Sequence, residues 1–379
     1  MTAWPGPTKH PKSQTLVGLP EHERTMAKPR ARAPSPPELM EDAVEEILLR
    51  LPPDEPAALV RASLVCKPWR RIVSDPAFLR RYRRFHPTPP LLGFFNELYG
   101  AAPERRFVPT TPASPFPKAA FDRRSWAAVD CRHGRVLLQK EKAGGNFVVW
   151  DPITGDQEEL HMPSITGDRA TSFYSASVLC AATGCDHRDC HGGPFLVVYL
   201  GNDESQPIVH ACVYSSESGA WVTMVSAHIG YNDFFTAYCG TLISDEIYQV
   251  IIGEDDAILK YDLGNHCLSV IGLPDESDDG GIVPMPTEDG SLGLASISAS
   301  CLHLWSRKVN EDGIAGWVQC RVVDLQALLP IDSPCKRAYV IGFAEGVGVI
   351  FVTTEVGTFT VELKSGKVKK IVLAPNCRC

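Results

Sequence analysis

The stretch that decides the reading runs from Pro37-Glu38-Leu39-Met40 through Ile47-Leu48-Leu49-Arg50-Leu51-Pro52 to Val65-Cys66-Lys67-Pro68-Trp69-Arg70-Arg71-Ile72-Val73-Ser74-Asp75-Pro76-Ala77-Phe78-Leu79. Met40, Val44, Ile47, Leu48 and Leu51 fall at i, i+4, i+7, i+8 and i+11, one stripe of a helix. Glu38, Glu41 and Asp42 sit near its positive N-terminal end and Arg50 near its C-terminus, as the helix dipole favours. Pro52-Pro53 ends it. Asp54, with N-cap chemistry, and Pro56 in the first turn open a second helix through Ala57, Leu59 and Val60. A third starts at Lys67-Pro68 and carries Trp69, Ile72 and Val73. Ser74-Asp75-Pro76 stops that helix and caps a fourth, in which Phe78, Tyr82 and Phe85 repeat at helical spacing. Four short helices make a small core, and such a unit gains from burying one face against a partner.

Over about 45 residues, in register throughout, this stretch resembles the F-box motif, particularly that of plant F-box proteins. The Cys-Lys-x-Trp-Arg run followed by Ser-Asp-Pro is its most specific part. Met40 departs from the pattern, which usually has Pro after the first Leu, but keeps its hydrophobic character. The resemblance implies that Leu39, Met40, Ile47, Leu48, Leu51, Pro52, Val65, Cys66 and Trp69 form the fold and dock onto a Skp-type adaptor, which in turn joins a cullin scaffold. Leu39, Met40, Leu48 and Pro52 are expected to lean toward that partner, and Trp69 and Ile72 inward. Arg80, Arg81, Arg83 and Arg84 read as a solvated face, because no aromatic platform accompanies them for a nucleic acid.

Residues 1–36, before the helices, are rich in Pro, Lys, Arg, Thr and Ser and read as a disordered basic tail, with Lys28-Pro29-Arg30-Ala31-Arg32 as a solvated run within it. The helical domain occupies 37–86. Residues 87–125 are Pro-rich and read as an irregular connector, with Leu91-Leu92 and Phe94-Phe95 as packing anchors. From 126 to 379 short apolar runs alternate with turn chemistry: Arg135–Leu138, Asn146–Trp150, Phe195–Tyr199, Gln249–Ile252 and Val349–Val352 read as strands. One or two helical turns are expected around Val323 to Leu329.

A strand, a polar turn and a second strand recur in this region. Trp150, Tyr214, Tyr261, Trp305 and Val361 mark the repeat, at steps of 64, 47, 44 and 56 residues. Several strands per unit at such periods suggest propeller blades. At the first marker, Asp151 suits an Asx-turn, Pro152 presets φ and Gly155 tolerates a positive φ. The region is similar to the propeller-like, degenerate kelch-like domain of plant F-box proteins. The expected fold class is therefore α plus all-β, a small helical F-box followed by a β-propeller-like domain of short antiparallel strands. Two stacked sheets remain the alternative, given the uneven steps.

Composition bounds the function. The 379 residues are 44% hydrophobic and 22% charged, which suits a globular chain. The net charge of -8 is uneven: residues 1–86 carry 15 Lys and Arg against 10 Asp and Glu, and the remainder 22 against 35. An acidic β region repels a phosphate backbone, which argues against nucleic acid as its ligand. No apolar run approaches the roughly 20 residues of a membrane span, and no secretory apolar core occupies the first 25 residues. An intracellular setting, nucleus or cytoplasm, is expected. The thirteen cysteines read as reduced, mostly buried small hydrophobes, and Cys377-Arg378-Cys379 lacks a lipidation arrangement.

The sharpest chemical cluster is Cys180, Cys185, His187, Cys190 and His191, donors that suit zinc. Structural zinc sites usually pair two separated knuckles, and Cys185-x-His187 with Cys190-His191 would strain one centre. The preferred reading is an ordered loop ending at Gly192-Gly193, with no metal and no cofactor. No Gly-x-Ser-x-Gly elbow, His-Glu-x-x-His pair or phosphate-cradling loop is present, so no catalytic residue is assigned. The resemblance implies the substrate-receptor subunit of an SCF-type cullin-RING ubiquitin ligase, non-catalytic itself, whose β domain holds a target protein. Loops 156–170, 201–208, 228–236 and 274–290 are the expected recognition face. A propeller-type enzyme or small-ligand binder tethered by an F-box, and a non-degradative F-box interaction protein, are the alternatives.

Overall fold

The computed structural model describes residues 40–371 apart from 54, 92, 99–103, 111–125, 141–145, 164–173, 188–189, 191, 203–206, 230–233, 237–238, 254–255, 276–280, 299, 330–337 and 355. The tail 1–36, Leu39 and Asp54 lie outside the described residues. Four helices form in the order expected: α1 (Glu41–Leu49), α2 (Pro56–Ser63), α3 (Lys67–Val73) and α4 (Pro76–Phe85). Prolines stand in the first turns of α2, α3 and α4, where a missing N–H breaks no intrahelical bond. The Asp75 carboxylate caps α4 by accepting from the Ala77 N–H at 2.8 Å. Val44, Leu48, Leu49, Ile72, Phe78 and Tyr82 are among the buried residues that form the core of this unit. Tyr82 Oη donates to the Leu51 carbonyl and His86 Nε2 to that of Leu49, each at 2.8 Å, so α4 closes over carbonyls that the end of α1 leaves free.

Beyond the helices, antiparallel strands build five blades among the described residues. The first comprises β3 (Trp126–Arg132), β4 (Arg135–Lys140), β5 (Phe147–Trp150) and β6 (Gln157–Leu160). The second comprises β7 (Tyr174–Cys180), β8 (Phe195–Asn202), β9 (Ile208–Ser215) and β10 (Ala220–His228). In the third, the first strand is split into β11 (Phe234–Phe235) and β12 (Thr241–Ile243), both paired with β13 (Glu246–Ile252), and β14 (Ala257–Asp262) and β15 (Cys267–Gly272) follow. The fourth holds β16 (Ile282–Pro286), β17 (Leu292–Ser298), β18 (Cys301–Val309) and β19 (Ala315–Asp324). The fifth holds β20 (Ala338–Ala344), β21 (Val349–Thr354), β22 (Gly357–Glu362) and β23 (Val368–Ile371). A short helix, α5 (Leu325–Leu328), capped by Asp324, links the last two at the place expected.

All five repeat markers lie on the third full strand of a blade, β5, β9, β14, β18 and β22. Their uneven spacing comes from connections of unequal length, above all the fourteen residues 181–194 between β7 and β8. The first-marker turn forms as read: Asp151 Oδ1 accepts from the N–H groups of Ile153 (2.9 Å) and Thr154 (3.2 Å), and Gly155 closes the turn at φ 83°. Middle strands such as β4, β5 and β13 are buried over four or five successive residues because both their faces are packed.

Each seam between consecutive blades is an apolar core. Leu137 and Val149 of the first blade pack with Val178 and Tyr199 of the second, and Ile297 and Leu302 of the fourth with Val340 and Phe359 of the fifth. At two seams the outer strands are pinned by one device: Trp221 Nε1 donates to the His161 carbonyl and Trp317 Nε1 to that of Gly272, each at 2.7 Å. The ring closes differently. The expected irregular connector instead contains an antiparallel pair, β1 (Gly93–Leu98) with β2 (Glu104–Pro109). Successive side chains of a strand face opposite ways. Phe94 meets Phe351 of the fifth blade at 5.0 Å between ring centres, while Phe95 packs against Val136, Leu138 and Trp150 of the first. This pair fills the seam between the last blade and the first, and for that reason two adjacent phenylalanines are both used.

Candidate functional site

Two regions hold residues that packing does not explain: the outside of the helical unit and one end of the propeller. On the helical unit, Met40 is 76% exposed, Ile47 50% and Val65 65%. Pro52 and Cys66 are also exposed, whereas Leu51 and Trp69 are half-buried against the core, and Ile72 is buried. Leu48, expected to face a partner, is turned inward and only 1% exposed. The reason is the helical angle: Val44 and Leu48 are one turn apart on the face that meets Phe78 and Tyr82, and Ile47 stands about 100° round from Leu48. Val60 on α2 and Leu64, the residue that caps its C-terminus, both exposed, and Phe85 on α4 extend the set of uncovered apolar side chains. Sequence reading missed these three as surface residues, although the four-residue step from Val60 to Leu64 was a signal that the two share a face.

Charged pairs brace this surface without burying it. Arg81 reaches Glu45 at 2.6 Å and Glu46 at 2.8 Å, and Arg71 reaches Glu41 at 2.7 Å, tying α4 and α3 to α1. Exposed pairs of this kind add little stability. They set the relative placement of helices, which is also why Arg81 is not a free cation for a phosphate.

At the propeller, the inner strands converge on an ion cluster that composition and motif reading did not detect. Arg132, at the end of β3, pairs with Asp130 at 2.8 Å and with both oxygens of Glu345, at 2.8 and 2.6 Å, and donates to the Gly240 carbonyl at 2.8 Å. Asp130 accepts from the Val178 N–H at 2.8 Å, and Glu345 from the Leu242 N–H at 3.0 Å. Four of the five blades therefore meet at one guanidinium. The available signal was Asp130-x-Arg132, two charges on the same face of a strand with an apolar flank. Burial raises the Asp130 carboxyl to about 6 despite the opposing pull of Arg132. Burial also works against the Arg132 charge, and the two carboxylates more than restore it, so its pKa is raised.

The sign of the Asp130 shift gives a pH prediction. A carboxyl raised in the folded state takes up a proton on folding at pH values where the unfolded chain, near 4, does not. This group's contribution to stability therefore rises as pH falls from 7 through 6 and levels off near 4. Urea midpoints of the parent, relative to an Asp130→Asn variant, are expected to rise between pH 7 and 4.5. A constant difference would show that Asp130 keeps an ordinary carboxylate pKa.

Cys180, Cys185, His187 and Cys190 converge in the β7–β8 connection, while His191 lies outside the described residues. At the opposite end of the blades, the connections β6–β7, β8–β9, β10–β11 and β15–β16 hold the four expected recognition loops, much of which lies outside the described residues, except that the last, 274–290, also runs through β16, a buried strand, into the turn beyond it. A shallow cleft of about 330 Å³ opens there at the third seam, lined by Leu273, Pro274, Asp275, Trp305 and Trp317.

Residues 127–375 match the family described as "F-box protein AT5G49610-like, beta-propeller", two thirds of the chain, and residues 37–81 match the F-box domain. The chain belongs to this F-box protein family. Its helical unit is thus an F-box and its β region the family's propeller. No curated protein matches it. Among solved structures it is similar to a puromycin-hydrolyzing peptidase of Mycobacterium tuberculosis, at 10% identity over 66% of this chain and 39% of that one, with a TM-score of 0.38. It is similar to TolB from Acinetobacter baumannii at 15% identity over 76% and 68% of the two chains, TM-score 0.39, and to a chain of a nidogen/laminin complex at 10% over 73% and 90%, TM-score 0.38. The chain spans about two fifths of the length of the puromycin hydrolases, and none of these likenesses carries an argument about its activity. Among the described residues, no helix of this F-box protein is long and apolar enough to cross a membrane.

Proposed function

We propose that this F-box protein is the substrate-receptor subunit of an SCF-type cullin-RING ubiquitin ligase. Its F-box holds a Skp-type adaptor and through it the cullin scaffold, and its propeller holds a target protein. The observation that carries the reading is the exposure of Met40, Ile47, Val60, Leu64 and Val65 on a domain whose own core is complete without them. Apolar side chains in that number on so small a unit mark a surface meant to be covered. Leu39, Pro52 and Cys66 belong to the same proposed contact, whereas Leu48, Leu51 and Trp69 support it from beneath.

In this reading the chain contributes no reacting side chain. It raises the effective concentration of a target lysine near the charged conjugating enzyme, and catalysis is by proximity. The setting is the nucleus or cytoplasm. The ten cysteines among the described residues are all free, which suits a reducing compartment.

The test is binding of the full chain to purified Skp-type adaptor. Ile47→Glu combined with Val65→Glu is expected to weaken binding at least 100-fold while leaving the unfolding midpoint within error, because both side chains are half or more exposed. A folded parent that does not bind the adaptor would overturn the reading.

A further inference from the structure

We infer that the β7–β8 connection is a structural zinc site formed by Cys180, Cys185, His187 and Cys190. Their ligand atoms all lie within 4.8 Å of one another. Cys185 Sγ is 3.4 Å from Cys190 Sγ, and Cys190 Sγ is 3.6 Å from His187 Nδ1. A tetrahedral zinc with sulfur at about 2.3 Å and nitrogen at about 2.0 Å sets its ligand atoms about 3.8 Å apart for two sulfurs and about 3.5 Å for sulfur and nitrogen. The two measured separations fall close to these values, and none of the others exceeds 4.8 Å. At 3.4 Å the Cys185 and Cys190 sulfurs are not joined in a disulfide, whose bond is about 2.05 Å, and all three cysteines are free.

The fold removes the strain that the sequence spacing suggested. Cys180 is the last residue of β7 and is held by pairing with Phe195, so one ligand comes from a rigid strand end rather than from the loop. Left-handed backbone at Gly184 (φ 68°) and His187 (φ 57°) turns the chain back, bringing Cys185 and His187 over Cys180. The His187 N–H donates to Cys185 Sγ at 3.4 Å, an orientation that favours a thiolate there. Single-centre ligation then needs only the 180, 185, 187 and 190 spacing.

The neighbouring blade supplies outer support. His133, in the β3–β4 turn, stacks on the His187 ring at 3.9 Å and 12°, and its Nδ1 accepts from the Cys180 N–H at 3.0 Å. Arg135 Nη2 donates to the Gly193 carbonyl at 2.5 Å, fixing the far end of the loop. Metal ligands are commonly oriented by such partners. A set of three sulfurs and one imidazole selects zinc over magnesium or calcium, and four protein ligands leave no open position, so the role is structural. Binding exchanges the thiol protons for the metal. It would tie the connection between β7 and β8 to the end of β7 beside the first blade.

The experiment uses the full chain, purified under reducing conditions, stripped of metal and titrated with Zn²⁺ and with Co²⁺. One zinc per chain is expected, with the intense visible bands of tetrahedral cobalt and thiolate-to-cobalt charge transfer, and a higher unfolding temperature with zinc bound. Cys185→Ser with Cys190→Ser is expected to abolish the cobalt spectrum, and His187→Cys to retain it with a shift toward four-sulfur ligation. A folded chain that takes up no zinc overturns the inference. So does a double variant that binds cobalt as the parent does, since the metal would then sit on other cysteines.

Discussion

Arg132→Leu is expected to destabilise the propeller by about 3–5 kcal/mol, the usual result of removing one partner from a buried ion pair. Its Asp130 partner is 1% exposed at the side chain, and among the described residues it pairs with no cation but Arg132. The lost guanidinium also releases Glu345 and the Gly240 carbonyl, so the damage reaches blades one, three and five together. Denaturant unfolding of parent and variant at pH 7 measures the effect. Arg132→Leu with Asp130→Leu is expected to recover much of the loss, because the stranded charge goes with its partner. A single-variant loss below about 1 kcal/mol, the scale of an exposed pair, would show that water reaches the cluster and that it does not hold the blades.

Leu48→Ala is expected to cost the F-box about 2–5 kcal/mol, the range for truncating a buried leucine. Leu48 is 1% exposed among Val44, Leu49, Phe78 and Tyr82, and a core of this size has little margin. The loss is therefore expected to open the helices, with residues 40–86 becoming susceptible to protease and adaptor binding falling as a consequence. Ile47→Glu with Val65→Glu should separate these effects, losing binding while residues 40–86 stay protected. Protection of the Leu48→Ala variant equal to the parent's would mean that the residue faces outward and that the packing described for α1 is wrong. The two neighbours in sequence, 47 and 48, thus report on different properties.

Much of the architecture was legible because it depends on local order. Proline in the first turns, Asp75 as a cap, and Asp151 with Gly155 in the β5–β6 turn are short-range chemistry, and each stands where the residues suggest. The repeat markers were readable for a similar reason: on the third strand of each blade the marker, Trp150, Tyr214, Tyr261, Trp305 or Val361, is a buried apolar or aromatic side chain. Phe94-Phe95 was recognised as an anchor but not as a strand, because its partners, Phe351 and the first blade, are remote along the chain.

The sequence by itself determined that four short helices precede a repeated pattern of short strands and polar turns, and it carried the F-box resemblance in a run of residues whose order is the signal; the number of blades came from the structure. Only the tertiary structure decided which side of α1 is buried, how the ring closes, and that Asp130, Arg132 and Glu345 share one point. It also decided that Cys180 meets Cys185, His187 and Cys190. The physical reason is common to all four. Helix and turn formation are governed by neighbours a few residues apart, whereas burial, ion pairing and ligand convergence depend on which distant strands the folded ring brings side by side.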